Sequence, residues 1–266
     1  MVEWQLNMVR YQYNSGMTRI TIRVALILLM VLASLTRNIP AIANQDQYTL
    51  NTSAGAPYAT KNRSGFQDLI VAEVFRRLGL KGQVERYDAS ARALINANNN
   101  IDHGVAMRIK GLDKKFPNLI RVEERLIEND FVAYSKNLDF STNDWTSLKP
   151  YRATYIHGWA IFERNLPTEM SIHAVKKPRQ MFEMLTKDRV DVVLYERWQG
   201  LQRAKETGLK VKIHQPSLAS VDLYMYMHKN HAHLVPKMAE ALRDMKTDGT
   251  YQAIFDRTLT ALFLSN

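Results

Sequence analysis

The sequence predicts an α/β fold with a largely parallel sheet, because strand patterns and amphipathic helix patterns alternate along residues 47–266. Ser64–Leu80 repeats apolar residues at helical spacing and has Gly79 near its end, where a glycine commonly closes a helix. Val190–Tyr195 is almost wholly apolar, as in a strand that is buried on both faces of a parallel sheet. These segments supply the two kinds of element that such a sheet needs.

The first part of the pattern predicts four strands and two helices. The helix within Ser64–Leu80 follows a loop at Ala54–Arg63 that contains glycine, proline and asparagine. Ser90 is placed to cap a second helix, which an asparagine-rich stretch then ends. The strands are expected at Gln47–Ser53, Gln83–Tyr87, His103–Met107 and Phe131–Tyr134.

A polar stretch, Asn137–Pro150, has no long periodic run and is predicted to cross into a second lobe. The alternation then restarts and continues to Pro216–Ser220, the predicted return crossover, and two such crossovers form a hinge. We expect lobe 1 at residues 44–138 and 222–266, and lobe 2 at residues 139–221. The expected strands are Arg152–Ile156, Ile172–Val175, Val190–Tyr195, Val211–His214 and Leu223–Met227, and the expected helices are one from about Trp159, Arg179–Lys187, Arg197–Gly208 and most of the remaining chain.

Residues 1–43 have the pattern of a signal peptide. Arginines precede an apolar run of 12 residues, Val24–Leu35, which is too short to span a membrane as a helix. Ala41–Ala43 reads A-x-A, so cleavage is expected before Asn44. The alternative is an N-terminal membrane anchor. Cleaved export predicts a soluble protein in the periplasm.

The composition and the missing motifs exclude several classes of function. The chain has no cysteine, which excludes a disulfide scaffold and a cysteine-anchored lipoprotein. The formal charge is +10, but the basic residues are scattered and no nucleic-acid-binding motif is present. No G-x-S-x-G, H-E-x-x-H or P-loop motif occurs, and His231 and His233 have no obvious third metal ligand. We therefore expect no nucleic-acid partner, no metal and no cofactor.

Ser64–Leu80 and Asp188–Glu196, in this order and spacing, resemble parts of the type II extracytoplasmic solute-binding proteins, especially the amino-acid-binding, family 3-like members that serve ABC transporters. The closing segment, with its turn at Asp248 and Gly249, resembles the last helices of that family. The resemblance covers about residues 47–258. It implies a two-lobed periplasmic-binding-protein fold with a hinge of two crossover segments. It also implies a monomer that captures an amino acid or related anion in the interlobe cleft and delivers this small-molecule ligand to an inner-membrane ABC permease.

Two charged residues are the main candidates for ligand contacts. Arg108 follows an apolar strand, where a guanidinium can hold a carboxylate through two parallel hydrogen bonds. The resemblance implies that an arginine near here binds the ligand's α-carboxylate, but the family's arginine falls later, so Lys114 is the alternative. Glu196 ends an apolar strand, where the resemblance implies an acid that pairs with the ligand's α-amino group. The other interpretation of Glu196 is an ordinary acid at a helix start.

Four further residues are candidates for ligand contacts, two of them through the resemblance. Tyr58 follows a proline in the first loop, where the family often places an aromatic ring against the ligand. Ser53 ends the first strand and can donate from its hydroxyl or backbone. Gly158 lies between a strand and a helix, where backbone N–H groups hold an anion in the family. Trp159 either lines the cleft or closes the core.

Two other functions remain open on the same fold. A few relatives are exported dehydratases that resemble cyclohexadienyl dehydratase, and a buried Glu196 with a raised pKa would serve as their general acid. The other alternative is a ligand sensor that reports to a membrane receptor. Turnover of a prephenate-like compound would favour the enzyme, and recovery of unchanged ligand would favour a binding protein. Neighbouring permease or receptor genes would separate transport from sensing.

Overall fold

The structure, a computed structural model, describes residues 47–265, so the predicted signal peptide and its cleavage site lie outside the described residues. The strands in this range are β1 (Gln47–Thr52), β2 (Lys81–Arg86), β3 (Gly104–Ile109), β4 (Leu119–Arg121), β5 (Ile127–Ser135), β6 (Ala153–Ile156), β7 (Ile172–Val175), β8 (Val192–Glu196), β9 (Lys212–Ile213) and β10 (Ala219–His228). The α-helices are α1 (Phe66–Arg77), α2 (Ser90–Asn98), α3 (Ala160–Asn165), α4 (Pro178–Thr186), α5 (Arg197–Thr207), α6 (Val235–Thr247) and α7 (Thr250–Thr258). Short 3-10 helices occupy Leu112–Lys114, Trp145–Leu148, Lys229–Leu234 and Thr260–Ser265.

The strands are joined by hydrogen bonds in the order β2-β1-β3-β10-β5-β8-β6-β7, with β4 beside β10 and β9 beside β5. The group β1, β2 and β3 is parallel, and so is the group β6, β7 and β8. Two long antiparallel strands, β5 and β10, join these groups. The predicted α/β class is confirmed, and the sheet is mixed because the joining strands run antiparallel to their neighbours.

The two joining strands change partners part-way along their length. β10 pairs with β5 from Ala219 to Leu223, and beyond Leu223 it pairs with β3 and β4. β5 pairs with β8 from Phe131 onward. The chain therefore crosses between the groups within these strands, whereas the polar stretch Asn137–Pro150 follows β5. The predicted lobe limits, 44–138 with 222–266 and 139–221, stay a prediction.

Local patterns account for most elements, with two corrections. The amphipathic helix is observed at Phe66–Arg77, and its apolar face, including Phe66, Ile70 and Phe75, is fully buried. Burial of each such side chain stabilises the fold by about 1.5–3 kcal/mol. The capping prediction for Ser90 is wrong, because the N-cap of α2 is Ala89, which makes no side-chain hydrogen bond. The three-residue strand β4 was not predicted, since so short a run carries no readable alternation.

The carboxyl ends of β1, β3 and β8 bring the sequence's candidate residues to one region of the fold. Ser53 follows β1, Arg108 is the penultimate residue of β3, and Glu196 is the last residue of β8. Open α/β sheets bind ligands outside the carboxyl ends of their strands. Within residues 47–265, no helix is long and apolar enough to cross a membrane.

Candidate functional site

A cavity of about 580 Å³ lies against the end of β3, the end of β8 and the start of α3. Four of the residues that the sequence analysis selected line it together: Tyr58, Arg108, Trp159 and Glu196. The other lining residues come from the same segments and from the joining strands, and they are Ser90, Met107, Ile109, Asn129, Phe131, Ala160, Ile161, Arg164, Asn165, Gln199 and Val221.

Arg108 supplies a positive charge that the chain itself does not neutralise. Its guanidinium donates to the Met107 carbonyl at 2.8 Å, to Ser53 Oγ at 3.1 Å and to Ser90 Oγ at 3.2 Å. None of these acceptors is charged, and no ion pair within residues 47–265 includes Arg108. Burial lowers the pKa of Arg108 to about 10. The cavity therefore contains a desolvated cation that an anionic ligand would stabilise.

Glu196 supplies a buried carboxyl group and also begins a helix. It is only 2% exposed, and its oxygens accept hydrogen bonds from the backbone N–H groups of Trp198 at 2.9 Å and Gln199 at 2.8 Å, which caps α5. Burial raises the pKa of Glu196 to about 7, and the hydrogen bonds from Trp198, Gln199 and Tyr58 and the charge of Arg197 act against that rise. Glu196 therefore caps α5 and also lines the cavity, and its pairing with a ligand ammonium stays a prediction.

Tyr58 connects the first loop to Glu196. Its side chain is fully buried, and its hydroxyl lies 2.8 Å from Glu196 Oε1 and 3.0 Å from Asn129 Oδ1. A hydroxyl has one proton and cannot donate to both acceptors. With Glu196 ionised, the charge-assisted bond to the carboxylate is the stronger one. Burial and the nearby Glu196 charge raise the pKa of Tyr58, so the phenol stays protonated.

The rest of the wall is mainly apolar and aromatic. Trp159 immediately precedes α3, stacks on Tyr195 with ring centroids 4.8 Å apart, and meets Phe131 edge to face at 5.9 Å. Trp159 thus both lines the cavity and packs on aromatic rings of the fold, and its contact with a ligand stays a prediction. Arg164 also lines the cavity and has no ion-pair partner among the described residues.

Three of the residues predicted to contact the ligand, Gly158, Lys114 and Ser53, are not among the residues that line the cavity. The backbone N–H of Gly158 donates to Glu163 Oε1 at 2.7 Å, so an acid of the chain occupies this donor. Lys114 is exposed on its 3-10 helix. Ser53 reaches the cavity only through its contact with Arg108. The ligand contacts predicted for these three residues, and for the four that line the cavity, all stay predictions.

The sequence analysis missed several lining residues. Asn129 lies inside β5 and Arg164 lies on the short helix α3. Neither position follows a strand end, which was the signal that selected Arg108 and Glu196. Asn129 carried one weak signal, a polar residue in a strand that is otherwise apolar on that side, and it is buried at 8% exposure.

Comparison with known proteins identifies the fold. No protein-family model matches the chain. A Shewanella oneidensis protein described only as uncharacterized is 28% identical over 195 residues, which is 70% of this chain and 72% of that protein. An ancestral cationic amino acid solute-binding protein matches with a TM-score of 0.66 at 15% identity, over 80% of this chain and 95% of its own. This chain has the two-lobed fold of periplasmic binding proteins.

Two further solved structures agree with that fold. An ancestral arginine-binding protein bound to arginine matches with a TM-score of 0.62 at 19% identity, over 80% of this chain and 97% of its own. The GluR0 ligand-binding core from Nostoc punctiforme, in complex with L-glutamate, matches with a TM-score of 0.61 at 16% identity, over 80% of this chain and 98% of its own. These matched proteins with the periplasmic-binding-protein fold are described as binding amino acids.

Proposed function

We propose that the mature protein is an extracytoplasmic solute-binding protein that captures an amino acid or a related small anion for an ABC-type permease. The observation that carries this proposal is Arg108, a desolvated cation in the cavity wall that has no acid partner in residues 47–265. A ligand carboxylate would supply that partner through charge-assisted hydrogen bonds. Ser53 and Ser90 would hold the guanidinium in place for it.

A zwitterionic ligand fits the cavity better than a simple anion does. Burial lowers the pKa of Arg108 and raises the pKa of Glu196, and neither side chain forms an ion pair within residues 47–265. The carboxylate of an amino acid would pair with Arg108 and its ammonium with Glu196. The apolar wall around Trp159 and Phe131 would cover the side chain of the ligand.

The mechanism follows from the positions of these residues in the two proposed lobes. Arg108 and Tyr58 belong to lobe 1, residues 44–138 with 222–266, and Glu196 belongs to lobe 2, residues 139–221. A ligand that touches both lobes stabilises the closed arrangement more than the open one, which is the requirement for ligand-driven closure. The crossovers would bend within β5 and β10, where those strands change partners.

Ligand recovery from the purified protein tests the proposal. Protein purified from the periplasm is denatured, released small molecules are identified by mass spectrometry, and calorimetry then measures a panel of amino acids and their deaminated analogues. We expect one amino acid or related carboxylate to bind at one site per chain. If no member of the panel binds to the native protein, the proposal is wrong.

One observation favours a second function. A buried carboxyl group with a pKa near 7 is suited to general acid catalysis, and Glu196 is such a group in a cavity wall. The corresponding activity would be a dehydratase on a prephenate-like cyclic acid. Steady product formation from such a compound, abolished in Glu196→Gln while the compound still binds, would replace the transport proposal.

A further inference from the structure

The arginines of residues 47–265 divide into paired and unpaired groups. Ten of the 16 form an ion pair with a carboxylate. Of the other six, Arg108 and Arg164 line the cavity described above, and Arg63 and Arg257 line a second cleft. Four of the six unpaired arginines in residues 47–265 therefore lie in the walls of these two cavities.

The second cleft has a volume of about 500 Å³ and is built from three separate parts of the chain. Arg63 comes from the first loop, Lys205 from α5, and Arg257 from α7. All three side chains are exposed, and Lys205, like the two arginines, has no ion-pair partner among the described residues. Its lining shares no residue with that of the first cavity.

The nearby acids are already engaged with other groups. Burial raises the pKa of Asp68, while hydrogen bonds from Thr60 and Gly65 and the charge of Arg63 act in the opposite direction. One Asp68 oxygen accepts from the backbone N–H groups of Thr60 at 2.9 Å and Gly65 at 3.0 Å. Glu206, next to Lys205 in the chain, pairs with Arg203. The cleft therefore keeps a net positive charge.

We propose that this second cleft binds a phosphate group. Two guanidinium groups and one ammonium group around a cleft match a compact anion with more than one negative charge. A single guanidinium group can also donate two parallel hydrogen bonds to two oxygens of one phosphate. A single carboxylate would leave charge in the cleft unmatched. The phosphate could belong to a soluble phosphate compound or to the headgroup of an acidic phospholipid. This site is independent of the proposed amino-acid site.

The test compares two variants of the mature chain that remove the same charge. One carries Arg63→Gln, Lys205→Gln and Arg257→Gln, and the control carries Lys176→Gln, Arg189→Gln and Lys210→Gln, which are exposed positions outside the cleft. Binding of inorganic phosphate and pyrophosphate is measured by calorimetry at physiological salt. Sedimentation with vesicles of phosphatidylglycerol, or of phosphatidylcholine alone, tests the lipid source.

We expect wild-type protein to bind pyrophosphate at one site per chain, or phosphatidylglycerol vesicles but not phosphatidylcholine vesicles. The cleft variant should lose at least about tenfold in affinity, and the control variant less than about twofold, because only the first removes direct charge-assisted contacts. Free phosphates identify a soluble ligand, and binding to acidic vesicles alone identifies a headgroup. Equal losses in the two variants, or no binding of any of these probes to wild-type protein, would overturn the site. Circular dichroism and thermal melting check that both variants are folded.

Discussion

Glu196 is buried and Arg108 is half-buried, and neither forms an ion pair within residues 47–265, which determines how the single residues of the site should behave. Glu196 keeps three hydrogen-bond donors on its carboxylate, from Tyr58, Trp198 and Gln199. A carboxylate has about four acceptor positions, so one remains for a ligand. Arg108 has only neutral acceptors within its reach. A zwitterionic ligand would give both residues a partner of opposite charge, its carboxylate for Arg108 and its ammonium for Glu196.

The first prediction concerns pH. Burial raises the pKa of Glu196 to about 7 from its ordinary value of 4.5, and a ligand ammonium would lower it. Binding of a zwitterion must then release a proton near pH 7. Affinity should rise as pH increases from about 6 to 8 and level off above that, where the carboxylate is already ionised. Calorimetry in two buffers with different ionisation enthalpies measures the proton release directly.

The matched control for this pH dependence is Glu196→Gln, which keeps the shape of the side chain and cannot titrate. It should bind more weakly and without proton release. An affinity that is constant from pH 6 to 8 in the wild-type protein would contradict the pairing of Glu196 with an ammonium.

The second prediction separates binding from folding at Arg108. Arg108→Gln should weaken ligand binding by about 2–5 kcal/mol, because the ligand carboxylate would be buried without its partner. The melting temperature of the ligand-free protein should fall only slightly, since within residues 47–265 Arg108 loses hydrogen bonds to neutral acceptors and no ion pair. Calorimetry and thermal melting on the same samples measure both effects. Arg189→Gln, at an exposed arginine without an ion pair, is the control. Unchanged affinity in Arg108→Gln would move the carboxylate site to Lys114 or Arg164.

At the scale of elements, helix α5 links the site to the core. Its first turn is capped by Glu196, and Gly200 in its second turn faces the ring of Tyr134 on β5. A Cβ at position 200 would lie 2.3 Å from that ring, closer than any real contact allows. The hydroxyl of Tyr134 lies 3.2 Å from the Glu196 carbonyl oxygen and 2.5 Å from that of Arg197, and its one hydrogen is donated to the nearer Arg197 carbonyl at the start of the helix. With a side chain at position 200, either α5 or the ring of Tyr134 would have to move.

The third prediction is that Gly200→Ala destabilises the protein. Overpacking costs about 1–3 kcal/mol, and the better helix propensity of alanine returns up to about 1 kcal/mol. We expect a net loss of about 1–2 kcal/mol, measured by denaturant unfolding, together with weaker ligand binding because α5 carries Glu196. Gly55→Ala is the control, because a Cβ there would meet no atom within 4 Å. Equal stability of the two variants would show that α5 can shift without cost.

Periodicity predicted most elements but not the crossovers. The alternating and helical patterns identified β7 at its observed limits, Ile172–Val175, and α1 within one residue of its apolar run. They placed β5 only at Phe131–Tyr134, because Glu128 and Asp130 interrupt its apolar pattern. Glu128 pairs with Arg125, three residues away, whereas the partners of Asp130 are distant in the sequence. Asp130 accepts hydrogen bonds from Arg197 on α5 and Ser220 on β10.

Strand ends selected two of the residues that line the candidate site, and the resemblance selected Tyr58 in the first loop. Arg108 and Glu196 follow apolar strands, so the general position of ligands in α/β sheets selects them. Asn129 and Arg164 line the same cavity because distant segments meet there, and no local spacing in a single sequence encodes that meeting. Gly158 was selected by the resemblance, but local sequence could not predict that Glu163 would accept its N–H.

At the scale of the whole molecule, we expect the joining strands β5 and β10, together with Tyr58, to govern the relative movement of the two proposed lobes. β5 and β10 carry the connection, and Asp130 ties them to α5 through Arg197 and Ser220. The Arg197–Asp130 pair is largely buried, with side chains 11% and 27% exposed. It should persist as the lobes move, because it joins α5 to the crossover strands. The Tyr58–Glu196 hydrogen bond instead joins the two proposed lobes directly.

The last prediction is that Tyr58→Phe favours the open arrangement. The variant keeps the ring but removes the hydroxyl that lies 2.8 Å from Glu196 Oε1. Hydrogen bonds to charged groups contribute about 1.5–3 kcal/mol, so the closed state should lose stability of that order. Small-angle scattering should give a larger radius of gyration than for the wild-type protein at the same subsaturating ligand concentration. Stopped-flow measurements should give faster ligand dissociation with little change in association, because closure holds the ligand after it binds.

The control for this variant is Tyr48→Phe, a buried tyrosine whose ring stacks on Phe75 away from the cavity. If closure depended on aromatic packing alone, both variants would behave like the wild-type protein. If closure depends on the hydrogen bond between the loop and the helix cap, only Tyr58→Phe should release ligand faster. A wild-type dissociation rate and radius of gyration in Tyr58→Phe would contradict this prediction. The ligand, rather than this hydrogen bond, would then supply the whole free energy of closure, because it would be the one remaining group that bridges Arg108 and Glu196.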